Sequence, residues 1–315
     1  VRNLDKSKYD ILPVVISRTG KKWQLVSPSR LLALPDPLNL KGTTKEFISS
    51  GRKEIQSIRQ LPGKINVVFI AMHGPYSEDG TIQGMLELAG ISYTGPGVLA
   101  SALGMDKTMF RKVMQNEKIP VPRFVALKKR DSPSKIYREL DKPPFFVKPN
   151  AQGSSVGASI VRYRKDLPKA LEKAFKYGET ALVEEYIKGT EVACGVLGNE
   201  KPIALPLAEI VPLKGEFFNY DSKYLESGAE EIVPARISVK LTKRVQQMAI
   251  DVYKAIGCKG FSRVDFILKN GRRPIVLEIN TIPGLTPMSL LPKAAKAAGI
   301  SYSQLLDKII KYAIK

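Results

Sequence analysis

Asn270-Gly271, set between the apolar runs GFSRVDFIL and PIVLEINT, constrains this chain more than any other feature. Both residues tolerate the left-handed backbone of a tight turn, so the runs are expected to pair as an antiparallel hairpin with a two-residue loop. That register places Arg263 opposite Glu278 and Asp265 opposite Val276. Side chains at every second position share a face, so Arg263, Asp265, Glu278 and Asn280 would line one side of the strands. Asp265 and Glu278 would be diagonal neighbours, about 7–8 Å apart at the backbone, close enough to converge on one cation. Like charges on an otherwise apolar face are costly to bury unless a cation compensates. Oxygen donors without His or Cys suit hard Mg²⁺, which bridges carboxylates and nucleotide phosphates. The plainer reading is a salt-bridged, solvent-facing strand pair around Arg263.

The rest of the chain alternates strand-like and helix-like segments. Ile11–Ile16 and Ile65–Met72 are short runs rich in Val and Ile, as buried parallel strands are. Ile82, Met85, Leu86 and Ala89 recur at helical spacing, and Gly90 is placed to end that helix. Ile91–Thr94 reads as a strand and Val98–Lys118 as helical. Strands follow at Arg123–Lys128, Phe145–Pro149, Ala158–Tyr163 and Thr180–Ile187, with a helix at Asp166–Tyr177. Glu191–Leu197 and Ile203–Ile210 are β-like, Val239–Ile256 is helical, and one helix follows the hairpin. Intermixed elements of this kind indicate an α/β fold with some antiparallel pairing, in three subdomains: 1–96, 97–187 and 188–315.

The net charge of +20 could indicate nucleic acid, an anionic membrane or anionic small molecules. The basic residues are scattered, as at Lys128, Lys129, Arg130, Lys293, Lys296, Lys308, Lys311 and Lys315, with no RNA-binding aromatic signature or zinc spacing. They resemble a solvated surface, and no nucleic-acid partner is expected. No run approaches the roughly 18 apolar residues of a membrane span, and the first residues lack a signal-peptide core. Two cysteines form no disulfide framework. A cytoplasmic enzyme without a membrane partner is expected.

Lys148-Pro149 precedes NAQGSSVGAS, between two expected strands. Gly153 and Gly157 permit tight turns, Ser154 and Ser155 add hydroxyls, and such a loop can present backbone N–H groups to phosphate. No Gly-Lys-Ser/Thr ends it, so it is not a Walker loop. Alone, it would serve equally well as a surface hairpin.

HGPYSEDGTIQGMLELAGISYTGPGVLASALGMDK, FFVKPNAQGSSVG, GCKGFSRVDF and LEINTIPGLTPMSL resemble, in order and spacing, the signature segments of D-alanine–D-alanine ligases, from about Lys8 to the C-terminus. The resemblance implies an ATP-grasp fold, with an N-terminal Rossmann-like domain and two α+β subdomains enclosing ATP. It implies that Lys107 and Lys148 contact ATP phosphates beneath the loop Gly153–Gly157. Glu184, Glu185, Tyr186 and Ile187 would form the adenine edge, with Leu277 and Phe217 also at ATP and Glu191 at the ribose. Asp265, Glu278 and Asn280 would hold two Mg²⁺ ions, with Mn²⁺ an alternative. Lys107 could otherwise be a solvated helix lysine, and Glu184 and Glu185 could simply face water.

The chemistry implied by the resemblance makes D-alanyl-D-alanine for peptidoglycan precursor synthesis. One D-alanine carboxylate attacks the γ-phosphate of ATP, and the amine of a second D-alanine attacks the resulting acyl phosphate, expelling phosphate. Such a reaction asks the protein for positioning and charge stabilisation. Arg263 and the Gly284 N–H would face the oxyanion of the tetrahedral intermediate. Ser289 and the Leu290 N–H resemble the pair that binds the second substrate's carboxylate, and His73, the only histidine, would lie near the first D-alanine. EFFNYDSKYLESG resembles the loop that covers the site, with Lys223 at phosphate and Tyr224 reaching Ser154; Tyr224 favours an amine as second substrate. Packing aromatics are the plainer reading of that segment. The alternative activity is a D-alanine–D-lactate or other carboxylate–amine ligase, and a homodimer is expected by resemblance.

Two departures stand out. Nothing before Lys8 matches the strand, glycine-rich turn and glutamate-bearing helix with which the family begins. The expectation is a truncated portion, with a degenerate relative as the alternative, that binds ATP and Mg²⁺ but ligates poorly. Ser77 also stands where the family usually has glycine, and could alter the turn at His73.

Overall fold

The computed structural model describes residues 2–17, 22–29, 53–55, 65–74, 76–153, 155–212 and 229–314. Its first sheet holds β1 (Val14–Ile16), β2 (Trp23–Leu25) and β3 (Lys53–Ile55), antiparallel throughout, where the sequence pattern suggested a parallel strand at β1. The run 65–72 supplies only one parallel bridge, Val68 to Tyr93. The ladder ends there because the Ile70 amide takes the Thr94 hydroxyl, at 3.0 Å, in place of a strand carbonyl. Helix α1 (Thr81–Leu88) buries Ile82 and Leu86, and Gly90 follows with φ of 67°, as the apolar spacing required.

The single helical pattern from Val98 splits into α2 (Val98–Met105) and α3 (Lys107–Asn116). Asp106 is the reason. Its backbone is extended, and its carboxylate accepts the Met109 N–H at 2.9 Å, capping the second helix. Lys107 thereby starts a new helix aimed at the chain following Pro149, where its N–H bonds the Asn150 carbonyl.

The central sheet has the order β4 (Phe124–Lys128), β7 (Thr180–Glu185), β5 (Phe145–Pro149), β6 (Ser159–Val161), all antiparallel. Two helices, α4 (Ser134–Leu140) and α5 (Leu167–Phe175), cover one face, burying Ile136, Leu140, Leu167 and Leu171 against Val125, Phe145, Val147 and Val183. The two-residue period then turns Phe146, Lys148 and Glu184 to the opposite face. That face becomes one wall of a cavity.

The third sheet runs β11 (Ala229–Ile232), β10 (Ala208–Pro212), β8 (Gly189–Leu197), β12 (Phe261–Lys269), β13 (Arg273–Asn280), with β9 (Ile203–Ala204) on β8. Helix α6 (Val239–Ala255) packs Val245, Ala249, Val252 and Tyr253 against Val264, Phe266, Leu268 and Val276. Two helices follow rather than the one expected. They are α7 (Leu290–Ala297) and α8 (Tyr302–Ala313), separated by Gly299 at φ of 77° and a capping box of Ser301 with Gln304.

The hairpin register corrects the sequence reading. Lys269 pairs with Arg273, so the loop has three residues, and Asn270 and Gly271 both adopt positive φ. A bulge at Leu277 adds a second one-residue offset, after which Asp265 pairs with Glu278 and Arg263 with Asn280. Two offsets preserve the face. The four polar residues share one side as expected, but Asp265 and Glu278 are directly opposite rather than diagonal.

Candidate active site

Between the central and third sheets lies a cavity of about 600 Å³. Its first wall is the free face of β5 and β7. Lys148 Nζ is 2.8 Å from Glu184 Oε2, and Glu184 Oε1 takes Arg111 Nε at 2.7 Å and Nη2 at 2.6 Å. All three side chains are buried. Burial would raise the Glu184 carboxyl, but Arg111 and Lys148 outweigh it and hold it below the ordinary glutamate value. Burial pushes Lys148 below the ordinary lysine range, with Glu184 opposing. Glu184 is therefore an internal counter-ion as well as a lining residue; the view that it merely faces water is corrected. Glu185 does reach the surface, where it meets the Arg123 backbone N–H at 3.0 Å.

The loop between β5 and β6 is tied down at its start. Asn150 Oδ1 accepts from the Thr108 N–H and hydroxyl, at 2.8 and 2.7 Å, and Lys107 Nζ donates to the Gln152 carbonyl at 2.7 Å. Ser155 and Gly157 adopt positive φ. A Cβ on Gly157 would sit 2.7 Å from Tyr177 Cδ2, so glycine is required there by contact as well as conformation.

The second wall is the hairpin. Asp265 accepts a two-point bond from Arg263, Nε to Oδ1 at 2.7 Å and Nη2 to Oδ2 at 2.8 Å, and a third from Asn280 Nδ2 at 2.9 Å. Burial works against the Arg263 charge, but Asp265, Glu278 and Glu191 outweigh it and hold the guanidinium above its ordinary value. Glu278 Oε2 lies 3.6 Å from Lys107 Nζ, so Lys107 joins the two walls. Lys107 is buried, which excludes the solvated-lysine reading. The Leu277 bulge lets adjacent residues, Leu277 and Glu278, both line the cavity.

Tyr186, Ile187 and Glu191 line the same cavity, as do Ser155 and Glu185. Gly153 and Asn280 line a small neighbouring pocket that shares Lys107 and Glu278. His73 is largely exposed, its Nδ1 3.7 Å from Glu78 Oε1, and Glu78 lines that small pocket. Ser77 fits its turn by donating its hydroxyl to the Gly74 carbonyl at 2.8 Å. Gly284 lies against Ser289, whose Oγ is 2.8 Å from the Thr286 hydroxyl, and Ser289 stands just before α7 without a side-chain capping bond to it. Gly284, Ser289 and Leu290 line neither pocket. Ser154, Phe217, Lys223 and Tyr224 lie outside the described residues.

Several residues in or behind the cavity walls escaped the sequence reading, Arg111 behind the wall and the others on it. Arg111 follows Lys107 by four residues, one helical turn, and that spacing was the available signal. Glu209, in the apolar run LPLAEIVP, was another: it pairs in two-point fashion with Arg236, Nε to Oε2 at 3.0 Å and Nη2 to Oε1 at 2.9 Å. Phe146 and Ile267 add apolar wall.

Among the described residues no three His, Cys, Asp or Glu side chains cluster as a metal site. The hairpin offers two facing carboxylates and an amide instead. That donor set fits Mg²⁺ if phosphate oxygens and water complete the shell.

Family models for the D-Ala–D-Ala ligase N-terminus and C-terminus match residues 1–96 and 113–311. The chain belongs to the D-alanine–D-alanine ligase family. A D-alanine–D-alanine ligase of Pelotomaculum thermopropionicum is 42% identical over 291 residues, 90% of each chain. The VanG D-Ala:D-Ser ligase structure from Enterococcus faecalis matches at a TM-score of 0.84 and 34% identity, covering 99% of this chain and 92% of that one. A Bacillus anthracis D-alanine–D-alanine ligase solved in complex with ATP matches at 0.73 and 34%, covering 99% and 88%. The three-sheet architecture is accordingly the ATP-grasp fold of these ligases. No helix among the described residues is long and apolar enough to cross a membrane.

Proposed function

We propose that this ligase joins two D-alanines to D-alanyl-D-alanine, converting ATP to ADP and phosphate through an acyl phosphate, for peptidoglycan precursor synthesis. The observation that carries the reading is the pairing of oppositely charged walls in one cavity, with Lys107 between them. Phosphates need the lysine side; a divalent cation needs the carboxylate side. Lys107 and Lys148 would meet phosphate oxygens, while Phe146, Ile187, Ile267 and Leu277 supply apolar surface suited to a nucleobase. Tyr186 and Glu185 would edge the base, and Glu191 would take the ribose.

Asp265, Glu278 and Asn280 would hold Mg²⁺, two ions by resemblance to the family. Bound there, the metal would neutralise charge on the transferring phosphoryl group. Arg263, held in place by Asp265, would stabilise the oxyanion, with the Gly284 N–H as second donor by resemblance to the family. His73 would serve the first D-alanine, and Ser289 with the Leu290 N–H the carboxylate of the second. Ser154, Tyr224, Lys223 and Phe217 take their roles from the family resemblance alone. A cytoplasmic homodimer completes the proposal, in subdomains 1–96, 97–187 and 188–315.

A second reading, a ligase that joins D-alanine to D-serine, is favoured by the match to VanG. ADP release by the full-length gene product separates the two. Release with D-alanine alone, abolished by chelating Mg²⁺, is expected. Release only when D-serine or D-lactate accompanies D-alanine would replace the reading, and none with any D-amino acid would end it.

A further inference from the structure

Arg111 is fully buried on α3, away from the hairpin, and belongs to no role assigned so far. A guanidinium in that position is expensive to desolvate, and an apolar residue of similar volume commonly serves stability as well or better. Arg111 is not even fully satisfied. Its Nη1 and Nη2 are both buried without a hydrogen-bond partner among the described residues, Nη2 standing 2.6 Å from Glu184 Oε1 as an ion-pair contact. A buried donor left unpaired calls for a reason other than stability.

Its contacts supply one. Glu184 has two carboxylate oxygens: Oε1 accepts from Arg111 Nε and lies in ion-pair contact with Nη2, while Oε2 meets Lys148. Without Arg111 the single carboxylate and the single ammonium would neutralise each other, and the cavity would see a dipole. With Arg111 the trio holds one positive charge in excess, and Lys148 is its member on the cavity lining. We propose that Arg111 is a positioning residue that shares the Glu184 carboxylate so that Lys148 keeps its attraction for the phosphates of a bound nucleotide. The effect is electrostatic, and it works through a buried pair where screening is weak. It should therefore scale with the charge of the ligand. This rests on the nucleotide reading of the cavity.

The test compares adenosine, AMP and ADP, binding measured by calorimetry with Mg²⁺ in every arm. Wild type should gain affinity along that series. Arg111→Gln should bind adenosine within about twofold of wild type and ADP about tenfold more weakly. Arg111→Lys, which keeps the charge, should stay within about threefold for ADP. A purely structural role would weaken adenosine and ADP alike, and that result overturns the proposal. So does an Arg111→Lys protein that melts like wild type, binds adenosine normally and has lost ADP tenfold; this arm stands even if glutamine at the buried position prevents folding. If wild type gains nothing from phosphates or binds none of the three ligands, the nucleotide reading itself falls, and this proposal with it.

Discussion

On the wall built by β5 and β7, an arginine and a lysine share one glutamate. On the wall built by β12 and β13, one arginine is clamped to Asp265 while Glu278 stands beside it. The same side-chain chemistry leaves a positive excess on the first wall and a negative excess on the second. Neither trio could be buried comfortably as three unpaired ions, since desolvation alone would shift or discharge them. Each trio instead neutralises most of its own charge and keeps one unit, the hairpin's facing Lys107 across the cavity. Polarity across this cavity is thus set by which residue is in surplus.

The largest effect should come from removing the surplus on the hairpin wall. Asp265→Asn keeps the shape but releases Arg263 and leaves Glu278 as the only carboxylate of the face; ligase turnover should fall about 10²–10³-fold. Adenosine binding should persist, because it needs neither metal nor phosphate contacts. An Asp265→Asn enzyme with near-normal ADP release would break the comparison.

A smaller effect tests whether the lysine wall depends on the shape of its loop. Gly157→Ala forces a positive φ on alanine and pushes a Cβ against Tyr177 and Pro149. Stability should drop by about 1–3 kcal/mol in urea titration. Tyr177→Ala in the same chain should recover the contact part but not the backbone part. Full recovery would mean that φ is irrelevant here.

The smallest effect concerns pH. Glu184 is held below the ordinary glutamate value of 4.5, so its contribution to stability is complete above that value and is lost as pH falls toward its own lowered one. Glu184→Gln should flatten the acid limb of a stability–pH curve below about pH 4.5 while leaving the slope near neutrality unchanged. An unaltered acid limb would show that folding does not lower the pKa of this carboxyl.

Much of this was legible in the sequence, for identifiable reasons. Strand and helix periods placed β5, β7, α1, α5 and α6 close to their observed limits, because each buries a regular face. The polar face of the hairpin was legible because charged residues every second position on apolar strands are hard to explain otherwise. Its register was not. Asn-Gly signals a turn but does not count its residues, and a bulge leaves no compositional mark when the extra residue is itself apolar. The break at Asp106 was hidden for a similar reason, since the apolar spacing runs on through it. Arg111 was missed because an arginine in KTMFRKVMQN looks solvated until the partner, 73 positions along the chain, is known.

The hairpin's two compensating offsets carry a constraint on how relatives of this protein can diverge. Straightening the bulge so that Leu277 pairs with Asp265, with the tip unchanged, would point Glu278 and Asn280 into the core beneath α6 and Leu277 toward the nucleotide. A one-residue slip of the pairing is therefore what this ribbon cannot survive, whereas loss of a tip residue or of Leu277 itself leaves Glu278 opposite Asp265 and should be tolerated on the cavity face.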